Sequence, residues 1–179
     1  MPSSDQTLTS SDGRSNDILT PCLEMAKKEM LSVGSGDGSQ QLGIVEEGRT
    51  NILATFYGTR EQDFQKYPHA KEILKRLEQK CKRSPMFSID ATKLHQFADS
   101  LGKFDLICFT FSHTGTPNRK SSQNIRTNQA LLQGFLTSSR NVLKPSGEIQ
   151  ITLKNGAFYE QRDLVSVAKS VKGIVYCGS

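Results

Sequence analysis

Met30-Leu31-Ser32-Val33-Gly34-Ser35-Gly36-Asp37-Gly38-Ser39 is a short apolar run that breaks into three glycines at alternate positions. A brief apolar run ended by turn residues is the pattern of a fully buried parallel strand. Glycines let the following turn bend sharply and approach a ligand with no side chain in between. Ser39 is placed to N-cap a helix starting near Gln40 and Gln41, whose free N–H groups and positive dipole end would face an anionic part of a ligand. The spacing is G-x-G-x-G, whereas the dinucleotide fingerprint is G-x-G-x-x-G with an acid about 20 residues on. Here position 39 is serine and positions 56 to 60 hold no acid. A nucleoside cofactor without a pyrophosphate, such as S-adenosylmethionine, suits the loop better than NAD. The competing reading of the same glycines is a flexible surface turn.

The 179 residues fit one domain and can bury a real core. Mean hydropathy is −0.47, and no stretch approaches the roughly 18 apolar residues of a membrane span. The first residues also lack a basic-then-apolar signal sequence. Cys22, Cys81, Cys108 and Cys177 are scattered without C-x-x-C spacing, which argues against a zinc site or a disulfide framework and for a reducing compartment. The net charge of +5 is compatible with a polyanionic partner but is common in ordinary soluble domains.

Residues 1–20, rich in Ser, Thr and Asp, read as a disordered tail ahead of a single domain over 21–179. After the glycine loop, a helix over Gln40–Glu47 closes at Gly48, and Asn51–Tyr57 is a second strand ending at Gly58-Thr59. A charged connection leads to Tyr67-Pro68 and a helix whose inward stripe is Ala70, Ile73, Leu74, Leu77 and Cys81. Met86–Ile89 reads as a third strand ending at Asp90, followed by a helix capped by Thr92 with Leu94, Phe97, Ala98 and Leu101 inward. Phe104–Phe111, the most hydrophobic strand, belongs at the centre. Then come a polar loop from Ser112 to Gln123, a helix over Ile125–Leu143 ended by Lys144-Pro145-Ser146-Gly147, a strand over Glu148–Leu153, a helix over Arg162–Val171 and a strand over Ile174–Cys177. Alternating strands and helices imply an α/β, Rossmann-like doubly wound, mainly parallel sheet, with its ligand beyond the carboxyl ends of the strands. That places Gly34 to Gly38, Tyr57, Asp90 and Thr110 to His113 on one rim.

From Met30 to about Val171 the chain resembles the Rossmann-like methyltransferase domain of the enzymes that methylate N(3) of a uridine in eukaryotic large-subunit ribosomal RNA. The resemblance lies in Leu31-Ser32-Val33-Gly34 with Gly36-Asp37, Ala54-Thr55 and Tyr57, Lys66-Tyr67-Pro68, Asp90-Ala91-Thr92-Lys93-Leu94, Phe111-x-His113-x-Gly115, Asn128-Gln129-x-Leu131-Leu132, and Gly147-Glu148-Ile149 with Thr152-Leu153-Lys154. Departures accompany it. The family rim usually reads Asn-Phe-Pro-His and here is Thr110-Phe111-Ser112-His113; an acid that often follows the second-strand tyrosine is replaced by Gly58; a tryptophan of the last helix is matched by Arg162. The chain stops at Ser179, in what the resemblance makes the sixth strand, so a truncated product or a shortened paralogue without the closing hairpin is expected.

The resemblance implies an S-adenosylmethionine-dependent rRNA (uridine-N(3))-methyltransferase, a monomer without a metal, acting in the nucleus or nucleolus on ribosomal RNA or a pre-ribosomal particle; apart from the resemblance the expectation is a cytoplasmic protein. Gly34, Gly36, Asp37, Gly38, Tyr57, Asp90 and Ala91 would hold the cofactor, with Asp90 at the adenine amine; Asp37 and Asp90 could instead simply cap helices, and Tyr57 could be a half-buried strand-end aromatic. His113 would act on the uracil ring N–H, Phe111 would stack on the flipped base, and Thr110 completes the rim. Their plainer roles are a loop histidine that holds the backbone and a core phenylalanine. His69 and His95 read as structural or exposed. Arg119, Lys120, Arg126 and Lys154 would contact phosphates, although loop charges are most often merely solvated. The alternative function is a catalytically weakened RNA-binding or scaffold paralogue; a nicotinamide-dependent oxidoreductase is disfavoured by the loop spacing.

Overall fold

The computed structural model describes residues 27–110, 122–153 and 160–177; the expected tail and the lead-in at Pro21–Ala26 lie outside them. In chain order come β1 (Met30–Val33), α1 (Ser39–Glu46), β2 (Ile52–Ala54), α2 (Arg60–Lys66), α3 (Ala70–Lys80), a 3-10 helix (Ala91–Phe97) running into α4 (Ala98–Leu101), β3 (Phe104–Thr110), α5 (Ser122–Ser139), β4 (Leu143–Thr152) and α6 (Leu164–Ser170). Among the described residues four strands form one parallel sheet, in the order β2-β1-β3-β4. The chain moves from β1 outward to β2, then returns across β1 to β3, so strand order reverses between β1 and β3. In such a sheet that reversal opens the ligand crevice.

Side-chain alternation along each strand divides the core between two faces. Met30, Ile52 and Leu106 pack with Leu42 and Val45 of α1 and Leu77 of α3. Their neighbours Leu31, Val33, Leu53, Ile107 and Phe109 pack on the other face with Leu94, Leu101, Phe135, Leu136 and Ala168. β1 is buried along its whole length, which is why it reads as an unbroken apolar run, whereas the outer strand β4 alternates half-buried and exposed positions. The doubly wound α/β arrangement expected from the sequence is therefore present, with β3 between β1 and β4.

Five elements differ from expectation. The third strand shrinks to one parallel bridge between Thr55 and Met86. Ser88 adopts φ 58 and bends the chain, so the Ser88 N–H donates to the Gly58 carbonyl (2.9 Å) and the Ile89 N–H to that of Phe56 (2.9 Å). The charged connection before Tyr67 holds α2, started by a reciprocal cap in which Thr59 Oγ1 accepts from the Gln62 N–H (3.3 Å) and Gln62 Oε1 from the Thr59 N–H (2.9 Å).

The long helix ends at Ser139 in a turn over 140–142, where the Val142 N–H donates to the Ser139 carbonyl (3.0 Å) and the carbonyl of buried Val142 accepts the Phe104 N–H (2.9 Å). β4 accordingly starts at Leu143, and Pro145-Ser146-Gly147 lies inside it as a bulge, where the register jumps from Phe104–Leu143 to Leu106–Glu148. Ile174–Cys177 forms no strand: Gly173 turns the chain at φ 83, and Val175 and Tyr176 are exposed with no strand paired to them among the described residues.

Phe135 of α5 is completely buried and its ring lies 4.5 Å from that of Phe109 on β3. Phe135→Ala should cost about 3–5 kcal/mol of stability, read as a lower urea midpoint with an unchanged slope; a loss under 1 kcal/mol would mean the helix is not seated on this face of the sheet.

Candidate functional site

The carboxyl ends of β1 and β2 are tied together by buried polar groups. The Ser32 carbonyl accepts from the Thr55 N–H (2.9 Å), Thr55 Oγ1 (3.0 Å) and Ser35 Oγ (3.4 Å). The Ser35 N–H in turn donates to the Thr55 carbonyl (3.0 Å), and Gln41 Nε2 of α1 donates to Ser32 Oγ (2.7 Å). These bonds fix the loop between β1 and α1 against the end of β2.

Within that loop the glycines have separate causes. A Cβ on Gly34 would stand 3.1 Å from the Phe109 ring, and one on Gly38 would stand 3.1 Å from Ile73 and 3.3 Å from Leu77. Both combine a left-handed backbone, φ 65 and φ 84, with tight packing against those side chains. Gly36, at φ +59, has nothing within 4 Å of its Cβ position and is exposed; this is the place where the loop can meet a ligand.

Asp37 and Asp90 use one local device. Asp37 Oδ1 accepts from the Ser39 N–H (3.0 Å) and Ser39 Oγ (2.7 Å), and Asp90 Oδ1 accepts from the Thr92 N–H (2.9 Å) and Thr92 Oγ1 (2.8 Å). Asp37 therefore caps the turn after β1, and Asp90 caps the 3-10 helix that begins at Ala91. Ser39 is consequently the first helical residue of α1 and not its cap, since Gly38 holds the cap position in a left-handed conformation. Burial pushes the Asp37 carboxyl up, but the hydrogen bonds from Ser39 outweigh it and hold the group below its ordinary value. Each cap engages one oxygen of its carboxylate. The second oxygen of Asp90 lies 3.8 Å from Lys93 Nζ.

Tyr57 is 76% exposed, so it is not a half-buried strand-end ring but an aromatic surface standing at the end of β2. Ala91 is buried beside Asp90, and Thr110 is the half-buried last residue of β3, in register with Thr152. Arg126 is exposed on α5. Phe111, His113, Arg119, Lys120 and Lys154 lie outside the described residues. His95 is half-tethered, its N–H donating to Ser138 Oγ (3.0 Å) and its Nδ1 3.1 Å from the same oxygen. Burial pushes the Cys108 thiol up to about 11, against the opposing charge of Arg49, which makes it a poor nucleophile. Among the described residues no three His, Cys, Asp or Glu side chains stand together to hold a metal ion, and no helix is long and apolar enough to cross a membrane.

Sequence reasoning passed over Gln41, Asp63 and the burial of Arg162. The signal for α2, and hence for Asp63, was the Thr59-x-x-Gln62 capping box. Arg162, where the family carries tryptophan, is fully buried and its carbonyl accepts from Gln129 Nε2 of α5 (3.3 Å).

The family described as rRNA (uridine-N3-)-methyltransferase BTM5-like matches residues 31–178. The chain belongs to this family. Two curated relatives are the heavy metal-associated isoprenylated plant protein 41 of Arabidopsis thaliana, 30% identical over 144 residues, and the ferredoxin-fold anticodon-binding domain-containing protein 1 homolog of Mus musculus, 31% identical over 134 residues. The matches cover 78% and 74% of this chain but only 28% and 21% of those proteins, so this BTM5-like chain corresponds to a minor part of each. The crystal structure of the glycopeptide N-methyltransferase MtfA complexed with sinefungin is similar over 84% of this chain and 59% of its own, at 15% identity and a TM-score of 0.45, too distant to place any residue of the site.

The separate causes of the glycines give a test. Gly36→Val should cost only the strain of a left-handed backbone, about 1–2 kcal/mol, while abolishing calorimetric binding of S-adenosylhomocysteine. Gly38→Val should lower the melting temperature much further. Wild-type affinity in Gly36→Val would show that the loop does not meet the ligand.

Proposed function

We propose that this chain binds S-adenosylmethionine at the carboxyl ends of β1 to β3 and methylates N(3) of a uridine in large-subunit ribosomal RNA, in the nucleolus. The observation that carries the cofactor assignment is Gly36 at the strand-order reversal, the loop glycine whose Cβ position is open, whereas a Cβ on Gly34 or Gly38 would meet packed side chains. Family membership over 31–178 supports the reaction and the RNA substrate. The groups present fit an adenosyl cofactor: Gly36 leaves backbone open to its methionine part, Tyr57 offers a flat exposed face, and Asp90 Oδ2, outside the cap and 3.8 Å from Lys93 Nζ, is an acceptor suited to the adenine amine.

When bound, S-adenosylmethionine supplies an electrophilic methyl group. The residues of this chain have to select the uracil and handle the proton on its N(3). An imidazole is suited to accept that proton near neutral pH, which assigns His113 as the base. Phe111 stacks on the extruded ring, because a base must leave its stack before its ring nitrogen can be reached. Thr110, at the end of β3, offers a hydroxyl to the uracil edge. Arg119, Lys120, Arg126 and Lys154 supply phosphate contacts, which bring salt dependence and no base selectivity.

The test is transfer of a labelled methyl group to ribosomal RNA lacking the modification, followed by nucleoside mass spectrometry. The expected product is 3-methyluridine. His113→Ala should retain cofactor affinity and lose roughly 100-fold or more in the single-turnover rate, the scale of a lost acid–base group. Equal rates in the variant and the wild type would remove His113 from the chemistry; no transfer by the wild type would leave the binding paralogue as the function.

A further inference from the structure

A groove of about 530 Å³ runs between the 3-10 helix and α5, walled by Thr92, His95, Gln133, Thr137, Ser138 and Asn141. Gly134 lets the two elements meet along it, because a Cβ there would stand 3.0 Å from Thr92 Cβ and Cγ2. Among the described residues that line the groove none is acidic and none carries a large apolar side chain. What lines it is hydrogen-bonding capacity. His95, Gln133, Thr137 and Asn141 are exposed. Ser138 is buried, and its Oγ accepts the His95 N–H (3.0 Å) and stands 3.1 Å from His95 Nδ1. That contact seats the imidazole, whose Nε2 has no partner among the described residues.

Cations stand at both ends of this neutral groove. Ala130, Gln133 and Thr137 share one stripe of α5, and exposed Arg126, four residues before Ala130, extends that stripe toward the start of the helix. Because α5 joins two parallel strands, its first turns lie toward the carboxyl ends of the sheet. At the far end Lys103 Nζ donates to the Asn141 carbonyl (2.7 Å). Thr92 links the groove to the rim, since its N–H (2.9 Å) and Oγ1 (2.8 Å) both bond Asp90 Oδ1. The groove therefore leads away from the candidate site, down the flank of the sheet opposite α1 and α3.

Phosphate and sugar oxygens of nucleic acids are contacted by Arg and Lys together with Ser, Thr, Asn and Gln side chains. We propose that this groove is a track for a single RNA strand, holding the ribose-phosphate backbone of nucleotides next to the uridine at the rim. Hydroxyls and amides along its walls meet the backbone, and Arg126 and Lys103 supply the charge at its two ends. A protein partner fits less well, because protein interfaces are anchored by buried aromatic and other large side chains, and none lines the groove. The inference rests on the RNA-substrate reading and adds where the strand beyond the target base is held. The track carries no base selectivity and takes no part in methyl transfer.

The experiment titrates the chain against a fluorescently labelled oligouridine at several salt concentrations and reads anisotropy. Gln133→Glu and Thr137→Glu, which place a carboxylate in the groove at exposed helical positions, should each weaken binding by about threefold to tenfold. Gln133→Lys should strengthen it and steepen the dependence of log K on log salt by about one, a gain that a damaged fold cannot give. Lys103→Ala should flatten that slope by about one. Gln79→Glu, an equal change of charge on exposed α3 across the sheet, should alter the affinity by less than twofold. Wild-type affinity in both groove glutamates, or no gain in Gln133→Lys, overturns the inference alone. Equal weakening by Gln79→Glu also overturns it, since net charge would then be the whole effect. Failure of the wild type to bind the RNA overturns the RNA-substrate reading and this inference together.

Discussion

The Ser32 carbonyl is the point at which the loop after β1 is made into a site. It accepts from Thr55 twice and from Ser35 once, and Ser32 Oγ takes the amide of Gln41. All four residues are buried, where a lost partner leaves a polar group stranded in a low-dielectric interior. The knot therefore holds β1, β2 and α1 in one arrangement, and everything displayed at the rim inherits its position from it. Gly36 points its open side outward because Ser35 is bonded on one side of it and Gly38 is packed on Ile73 and Leu77 on the other.

Around that knot the rim repeats a single solution. Asp37-Gly38-Ser39 and Asp90-Ala91-Thr92 each fold an acid back onto the N–H and hydroxyl two residues later. Such a turn orients a carboxylate and starts a helix at once, so capping and ligand binding are compatible roles of one side chain. The two readings that sequence alone sets against each other, cap or ligand group, are not exclusive here. Asp63 is different: its carboxylate caps nothing, and its burial costs the fold stability.

The parallel doubly wound sheet, the inner place of β3 and the position of the glycine loop were legible from residues 30–54 and 104–109, because buried parallel strands leave unbroken apolar runs and amphipathic helices leave periodic ones. The third strand was not. Met86–Ile89 has the right apolar residues, but the left-handed Ser88 that breaks its ladder is set by bonds to Gly58 and Phe56 from elsewhere in the chain. The bulge at Pro145–Gly147 was hidden for a related reason: a proline and glycine read as a helix stop, and only the partner strand shows that the chain is already extended. Asp63 was overlooked because its carboxylate packs where a Cβ on Gly58, five residues earlier, would stand, a contact that only the fold reveals.

The most direct test is amide chemical-shift mapping of the chain with S-adenosylhomocysteine. The ligand should shift the signals of Ser35 to Ser39, Tyr57, Gly58, Asp90 and Ala91 together, while Lys28, Arg49 and Asn51 at the opposite end of the sheet stay unchanged. Shifts confined to that opposite end, or none at saturating ligand, would contradict a cofactor site at the carboxyl ends of the strands.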